Sequence, residues 1–476
     1  MKHLVSTVCI VLLAGLLTAC STAQTGTPRL TSLKQLEQQA PERRSLDIQQ
    51  WQTRNGSQVL FVPAPELPMF DLRLTFAAGS SRDGNQPGLA SLTNALLDQG
   101  TTQKSADEIA LGFENLGAQL GSGSYRDMGI LSLRSLSDPA LSEPALALFT
   151  EVLGSPAFAQ PAIERLKNQL HASFDYEQKD PGTLSNQAFF AELYGDHPYA
   201  HASRGNPRSI AAITRAQLIA FYQQHYSAGN VQIALVGDLT RQQAEQIAER
   251  ISQALPQGPA LAAVPTATPR GARQKHIEFD SSQTHILLGQ LTLERGHADY
   301  AALFLANQIL GGSGFGSRLM EEVREKRGLT YGIYSGLSPM QTAGPFMINV
   351  QTRAELSQAT LDFVLQLLRD FIEQGPTAAE LATSKQEILG SFPLSAASNS
   401  AIVGQLGAIG FYDLPLSWQD DFIHQIEQLS LEQVHAAIRR HLDAEALTII
   451  TLGPDVEQLP LPPAVERSPQ PEGSRH

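Results

Sequence analysis

The chain repeats itself. Val231-Gln232-Ile233-Ala234-Leu235-Val236-Gly237 and Leu447-Thr448-Ile449-Ile450-Thr451-Leu452-Gly453 are apolar runs of equal length that both end on glycine. Each follows a helical pattern that closes in a basic segment, His225-Tyr226 in one case and Arg440-His441 in the other. Between the halves, residues 256–274 carry four prolines and no sustained period, which marks an interdomain linker. A repeated unit of roughly 200 residues is of ordinary domain size. Two copies of one α+β unit therefore account for the body of the chain.

The local patterns agree. In the first half, Asn55-Gly56 is a hairpin turn signal between Trp51-Gln52-Thr53 and Val59-Leu60-Phe61-Val62. Residues 70–76 and 128–136 read as strands, with the apolar/polar alternation of a half-buried strand in 70–76. A helix follows Pro87, and another starts at Ser105 with Glu108 placed for a capping box. Long helical patterns cover 139–153 and 160–179. The second half repeats strand, helix, strand pair and long helices over 284–291, 298–310, 331–337, 346–351, 355–374 and 377–390.

The N-terminus is a targeting segment rather than part of the fold. A short basic start leads into an apolar run too short to span a bilayer comfortably. It ends in Leu17-Thr18-Ala19-Cys20, which has the form of a bacterial lipobox, so Cys20 is the expected lipidation site. Ser21 follows in place of Asp, which favours the outer membrane; the expected location is lipid-anchored in the periplasm, at that membrane. The only other cysteine, Cys9, lies in the segment to be removed, so the mature chain has no disulfide and no cysteine metal site. The expected organisation is a signal peptide over 1–20, a linker over 21–45, domains over 46–255 and 275–455 flanking the 256–274 linker, and a proline-rich disordered tail over 456–476. A net charge of −13 argues against nucleic-acid binding, which needs a basic face.

Several short motifs, taken in order, point to one family. Gly79-Ser80-Ser81-Arg82-Asp83 precedes Gly88-Leu89-Ala90-Ser91-Leu92-Thr93-Asn94-Ala95, and Gly100-Thr101 follows. Glu164-Arg165, His197-Pro198-Tyr199 and Gly237-Asp238 come later, and the second half contains GGSGFGSRLMEEVREKRGLTYGIYSG. Together these closely resemble the M16 (insulinase/pitrilysin) metallopeptidases. The resemblance implies an α+β fold of two homologous M16-type (LuxS/MPP-like) α/β roll domains, each an antiparallel-rich sheet packed with helices.

Where the family carries its zinc motif, His-x-x-Glu-His, this chain has Ser91, Leu92, Thr93, Asn94 and Ala95, and the distant ligand position falls on His171. A catalytic zinc site needs three ligands and an open position. Ala95 offers no donor atom, Ser91 is a poor ligand and Asn94 cannot act as a base, so no metal is assigned. His197 and His201, spaced i, i+4, offer with His171 an alternative imidazole set, although Pro198 breaks a continuous helix through the pair. The glycine run at 311–316 lacks the Lys-Ser/Thr of a phosphate-binding loop and reads as a tight turn.

Arg324 and Tyr331 match the family's second-domain pair, which reaches toward the zinc-bound peptide. By resemblance to members that divide the work between two chains, this one is expected to be a non-catalytic subunit. Arg324 and Tyr331 would act in trans on substrate and oxyanion. Zinc is expected in a partner M16 chain with an intact His-x-x-Glu-His, and the other ligand is a peptide. The stretch at 117–124 resembles the edge strand on which active members lay a peptide, without the family's Asn-Ala. Two alternatives stay open: a periplasmic binding or scaffold protein using the fold alone, and a self-sufficient metallopeptidase with displaced ligands.

Overall fold

The computed structural model describes residues 46–465. The signal segment, Cys20 and the 21–45 linker lie outside the described residues. The first half forms a sheet from β1 (Gln49–Gln52), β2 (Gln58–Pro63), β3 (Met69–Phe76), β4 (Gln119–Ser124), β5 (Gly129–Leu136) and β6 (Val231–Gly237). The second half supplies β7 (Arg273–Glu278), β8 (Gln283–Leu291), β9 (Ile333–Leu337), β10 (Pro345–Arg353) and β11 (Thr448–Gly453). The strand orders are β1-β2-β6-β3-β5-β4 and β7-β11-β8-β10-β9.

Duplication is visible in the topology. Apart from the extra edge strand β1, the two orders superimpose as β2/β7, β6/β11, β3/β8, β5/β10 and β4/β9. The pairing sense matches as well. β2–β6 and β7–β11 are the parallel pairs, and the remaining matched pairs are antiparallel. The two repeated sequence runs are therefore the equivalent strands β6 and β11. β6 is buried along its whole length, which is why it reads as continuous apolar sequence rather than alternation.

Each sheet packs helices of its own half on one face. Leu72, Leu74, Leu131, Leu133 and Ile233 point into one core, and Ile286, Leu288, Ile348 and Val350 into the other. The opposite faces are covered reciprocally. The helix Asn399–Phe411 of the second half lies on β2, β3 and β6 and buries Ile402, Val403, Leu406 and Ile409 against Leu60, Val62, Ala234 and Val236. The helix Pro181–Tyr194 of the first half lies on β8 and β11, with Phe189 and Leu193 against Leu287 and Ile450. The proline-rich connection is pinned to this junction. Val264 and Ala267 are buried in it, and Ala267 N donates to Thr342 Oγ1 at 2.9 Å.

One buried carboxylate ties the halves together. Asp127, in the β4–β5 turn, accepts the Tyr199 hydroxyl on Oδ1. On Oδ2 it accepts Gln341 N at 3.0 Å and the Tyr412 hydroxyl at 3.1 Å. Burial pushes its pKa up against these stabilising bonds. Residues 456–465, expected to belong to a tail without structure, instead run along the second half. Leu459 N bonds Glu355 O at 2.7 Å and Val465 N bonds Lys326 O at 2.8 Å.

Candidate functional site

The helix Leu89–Leu96 carries Ser91, Asn94 and Ala95, which the sequence resemblance placed at the zinc-motif positions. Its start is fixed by Asp83, whose carboxylate accepts Gly88 N and Ala90 N, each at 2.7 Å, and His201 Nε2 at 3.0 Å. Gly88 has a φ of +93°, and a Cβ there would stand 2.7 Å from Arg204 O, so only glycine fits. Along this helix Ser91 is half-buried and Ala95 exposed. Asn94 turns inward. It is buried, and its Nδ2 donates to the Tyr226 hydroxyl at 3.0 Å and to Ile130 O at 3.3 Å. Asn94 thus ties its helix to β5 and to Tyr226, and its carboxamide cannot take a proton from water.

His171 sits on the helix Gln160–Glu177, half-buried, with its ring edge-on to Phe174. No donor set for zinc forms from Ser91, Ala95 and His171: one side chain is a methyl, and a lone imidazole with one hydroxyl does not make a site. The second imidazole set does not converge either. His197 Nε2 is 2.8 Å from Pro265 O and its Nδ1 accepts Tyr199 N, whereas His201 is committed to Asp83. The one His/Asp/Glu cluster of ligand-like spacing among the described residues is His297, Asp299 and His441. There the Asp299 carboxylate already accepts His441 Nε2 at 2.7 Å and is bonded by Arg440.

His225 is buried, with its ring centroid 4.1 Å from that of Phe221, and burial pushes its pKa down to about 4. An unfolded imidazole titrates near pH ~6.5. The unfolded chain therefore binds a proton in a range where the folded chain does not. The neutral residue's full contribution is present above pH ~6.5 and is lost as the pH falls toward 4, by up to about 3 kcal/mol. Denaturant unfolding at pH 7 and pH 4.5 should show this loss in the native chain and a flatter dependence in His225→Gln. Parallel pH dependences would refute it.

The second-half segment is built differently. The chain leaves the helix Tyr300–Asn307 through a π-helical turn, Gln308–Gly312. It then passes a short glycine turn at Gly314–Gly316 and enters a second π-helical stretch, Met320–Glu325, which bears Arg324. Such π turns are uncommon and often accompany functional sites. Val323 and Met320 are buried, which leaves Arg324 on the outer side. Its guanidinium is lightly held, 4.6 Å from the ring centroid of the exposed Phe315 and 3.6 Å from Glu325 Oε1. Tyr331 lies just before β9 with 90% of its surface exposed. Both residues line one open cleft of about 740 Å³, together with Gln283, Gln351, Arg353 and Glu355. A guanidinium fork and a phenol hydroxyl there can donate hydrogen bonds to a carbonyl or an oxyanion. Gln283, Gln351 and Arg353 were not singled out from the sequence; β8 and β10 bring them here by pairing in register.

Residues 59–204 match the insulinase (peptidase family M16) domain, and residues 212–388 match the peptidase M16 inactive domain. The Helicobacter pylori protein called a non-peptidase homolog YmxG is 29% identical over 387 residues, 80% of this chain and 88% of that one. An uncharacterized zinc protease of Mycobacterium tuberculosis is 27% identical over 380 residues, 79% of this chain and 86% of that protein. Among solved structures, a peptidase M16 inactive domain from Pseudomonas fluorescens is 55% identical with a TM-score of 0.86, and the match covers 87% of this chain and all of that one. A protease from Helicobacter pylori, at 20% identity and a TM-score of 0.80, shares the fold. The chain belongs to the M16 peptidase family.

Proposed function

We propose that this chain is the non-catalytic partner in a two-chain bacterial M16 peptidase. It supplies Arg324 and Tyr331 to a peptide whose hydrolysis is driven by zinc held in another chain. The observation that carries this reading is the contrast between the two halves. Asn94 is folded into the core of one, while a half-buried, lightly held Arg324 and an exposed Tyr331 line a single cleft of the other. An exposed phenol and a guanidinium facing one open cleft are the groups a peptide-contacting surface needs, which favours this reading over a pure scaffold. The free edge of β4 adds a place where an extended peptide can pair by its backbone.

Alone, the mature chain is expected to bind no stoichiometric zinc and to cleave no peptide. Mixed with an M16 chain bearing an intact His-x-x-Glu-His, it should form a complex that hydrolyses peptides faster than that chain by itself. One zinc per isolated chain by metal analysis, with cleavage abolished by a chelator, would overturn the assignment.

The site of action is proposed to be the periplasmic side of the outer membrane, with the protein anchored through a lipid on Cys20. No helix among the described residues is long and apolar enough to cross a membrane. Cys20→Ser should release the protein into the soluble fraction or leave it with its signal segment uncleaved. Unchanged mass and membrane fractionation in that variant would count against the anchor.

A further inference from the structure

The edge strand β4 is reached from the sheet interior by one row of residues. Register places Arg73 of β3 opposite Ser132 of β5, and Ser132 opposite Gly121 of β4. The next row is Asp71, Arg134 and Gln119. Both rows lie on the face away from the core formed by Leu72, Leu74, Leu131 and Leu133, and that face looks toward the helix Asn399–Phe411. A cleft of about 240 Å³ opens there, bounded by Arg73, Gln119, Gly121, Arg134, Ser400 and Val403.

The charges in this cleft do not cancel. Arg134 is neutralised by Asp71 through a bidentate pair at 2.9 and 3.1 Å. Arg73 makes no ion pair among the described residues, and its buried Nε has no hydrogen-bond partner. Desolvation of this guanidinium lowers its pKa, with no carboxylate among the causes that act on it. Its Nε is pressed beneath the helix Asn399–Phe411, where a Cβ on Gly407 would stand 2.8 Å away. The cleft therefore holds one uncompensated positive charge, in a chain whose net charge is −13. A half-buried charge of this kind interacts more strongly with a counter-charge than one in open water.

The row from that charge to the sheet edge holds no large side chain, although the Tyr125 ring lies over Gly123 in the neighbouring row and its phenol acts on Arg73. Ser132 is small and Gly121 has no side chain. Neighbouring strands lie about 4.8 Å apart, so a peptide paired to β4 would run roughly 14 Å from β3, three spacings away. An arginine laid along the row and an extended glutamate, joined by one charge-assisted hydrogen bond of about 2.8 Å, reach that far over Ser132 and Gly121, so Arg73 meets the carboxylate by swinging down from its place beneath Gly407.

We propose that Arg73 is an anion subsite: it receives the carboxylate of an acidic side chain on an extended peptide laid along β4 and so selects acidic peptides. The proposal rests on the peptide-holding reading given above, and it fixes which side chain the peptide must present on this face.

The test uses the full mature chain and three fluorescent peptides that differ at one position, Glu, Gln or Lys, in an otherwise uncharged β-prone octamer. Binding is read by anisotropy. The Glu peptide should bind about 10-fold more tightly than the Gln peptide. Arg73→Gln should erase that difference while leaving affinity for the Gln peptide unchanged, and Arg73→Glu should favour the Lys peptide instead. Equal binding of Glu and Gln peptides to the native chain, or a preference that survives Arg73→Gln, overturns the subsite and leaves the peptide-holding reading standing. Failure of all three peptides to bind overturns both. Circular dichroism and unfolding midpoints of the two variants separate lost recognition from lost fold.

Discussion

Tyr331→Phe is expected to lower peptide turnover by about 100- to 1,000-fold in a complex reconstituted with the zinc-bearing chain, the usual cost of losing one oxyanion donor. The substitution removes a single hydroxyl from a residue that is 90% exposed, so folding and assembly should be untouched. Arg324→Ala should reduce turnover comparably. Among the described residues the guanidinium makes a long contact with Glu325 and a stacking contact with Phe315, so its removal disturbs little else. The measurement is kcat and KM with the complex quantified by sedimentation or size exclusion. Transition-state contacts predict a fall mainly in kcat, whereas ground-state contacts predict a rise in KM. Full turnover in both variants would make the pair structural and favour the scaffold alternative.

Asp127→Ala is expected to destabilise the chain by at least about 3 kcal/mol. It leaves the Tyr199 and Tyr412 hydroxyls and the Gln341 N–H without their acceptor at a buried junction, and each such orphan typically costs ~1–3 kcal/mol. Because the three partners come from both halves, the loss should loosen the junction before either core. Hydrogen exchange should rise first at 256–272 and around Tyr412. A variant within 1 kcal/mol of the native chain by denaturant titration, with unchanged exchange at those segments, would show that the carboxylate is not a latch.

The parts of the fold that could be read in the sequence were those with local signals. The capping box at Ser105 and Glu108 is present, and the Asn55-Gly56 turn joins β1 to β2. The paired apolar runs became equivalent strands because a strand buried along its length, as β6 is, or largely buried, as β11 is, has a distinctive composition. β7 was not anticipated as a strand, and its first two residues fell within the linker, because Arg273–Glu278 is polar and largely exposed, held by parallel pairing with β11 that no local pattern announces. The helix Pro181–Tyr194 was also missed. It buries residues against its own half and against β8 and β11, so its apolar positions surround the helix and blur the period.

The same limit applied to the sites. Arg324 and Tyr331 were found by motif. Arg73 and Asp127 were invisible, because what singles them out is the presence or lack of partners more than fifty residues away. Asn94 was legible as a lost base, but its new role as a bond between the helix Leu89–Leu96, β5 and Tyr226 was not.

The exchanged helices have a consequence for how such a chain can be divided. Asn399–Phe411 seals the sheet of the first half, and Pro181–Tyr194 seals that of the second. A break at 256–274 would therefore yield two fragments, each with one apolar sheet face bared and one apolar helix unhoused. Neither fragment is a free-standing module. Each half covers the apolar sheet face that the other would otherwise bare, so truncation or grafting of one half alone is expected to expose both surfaces.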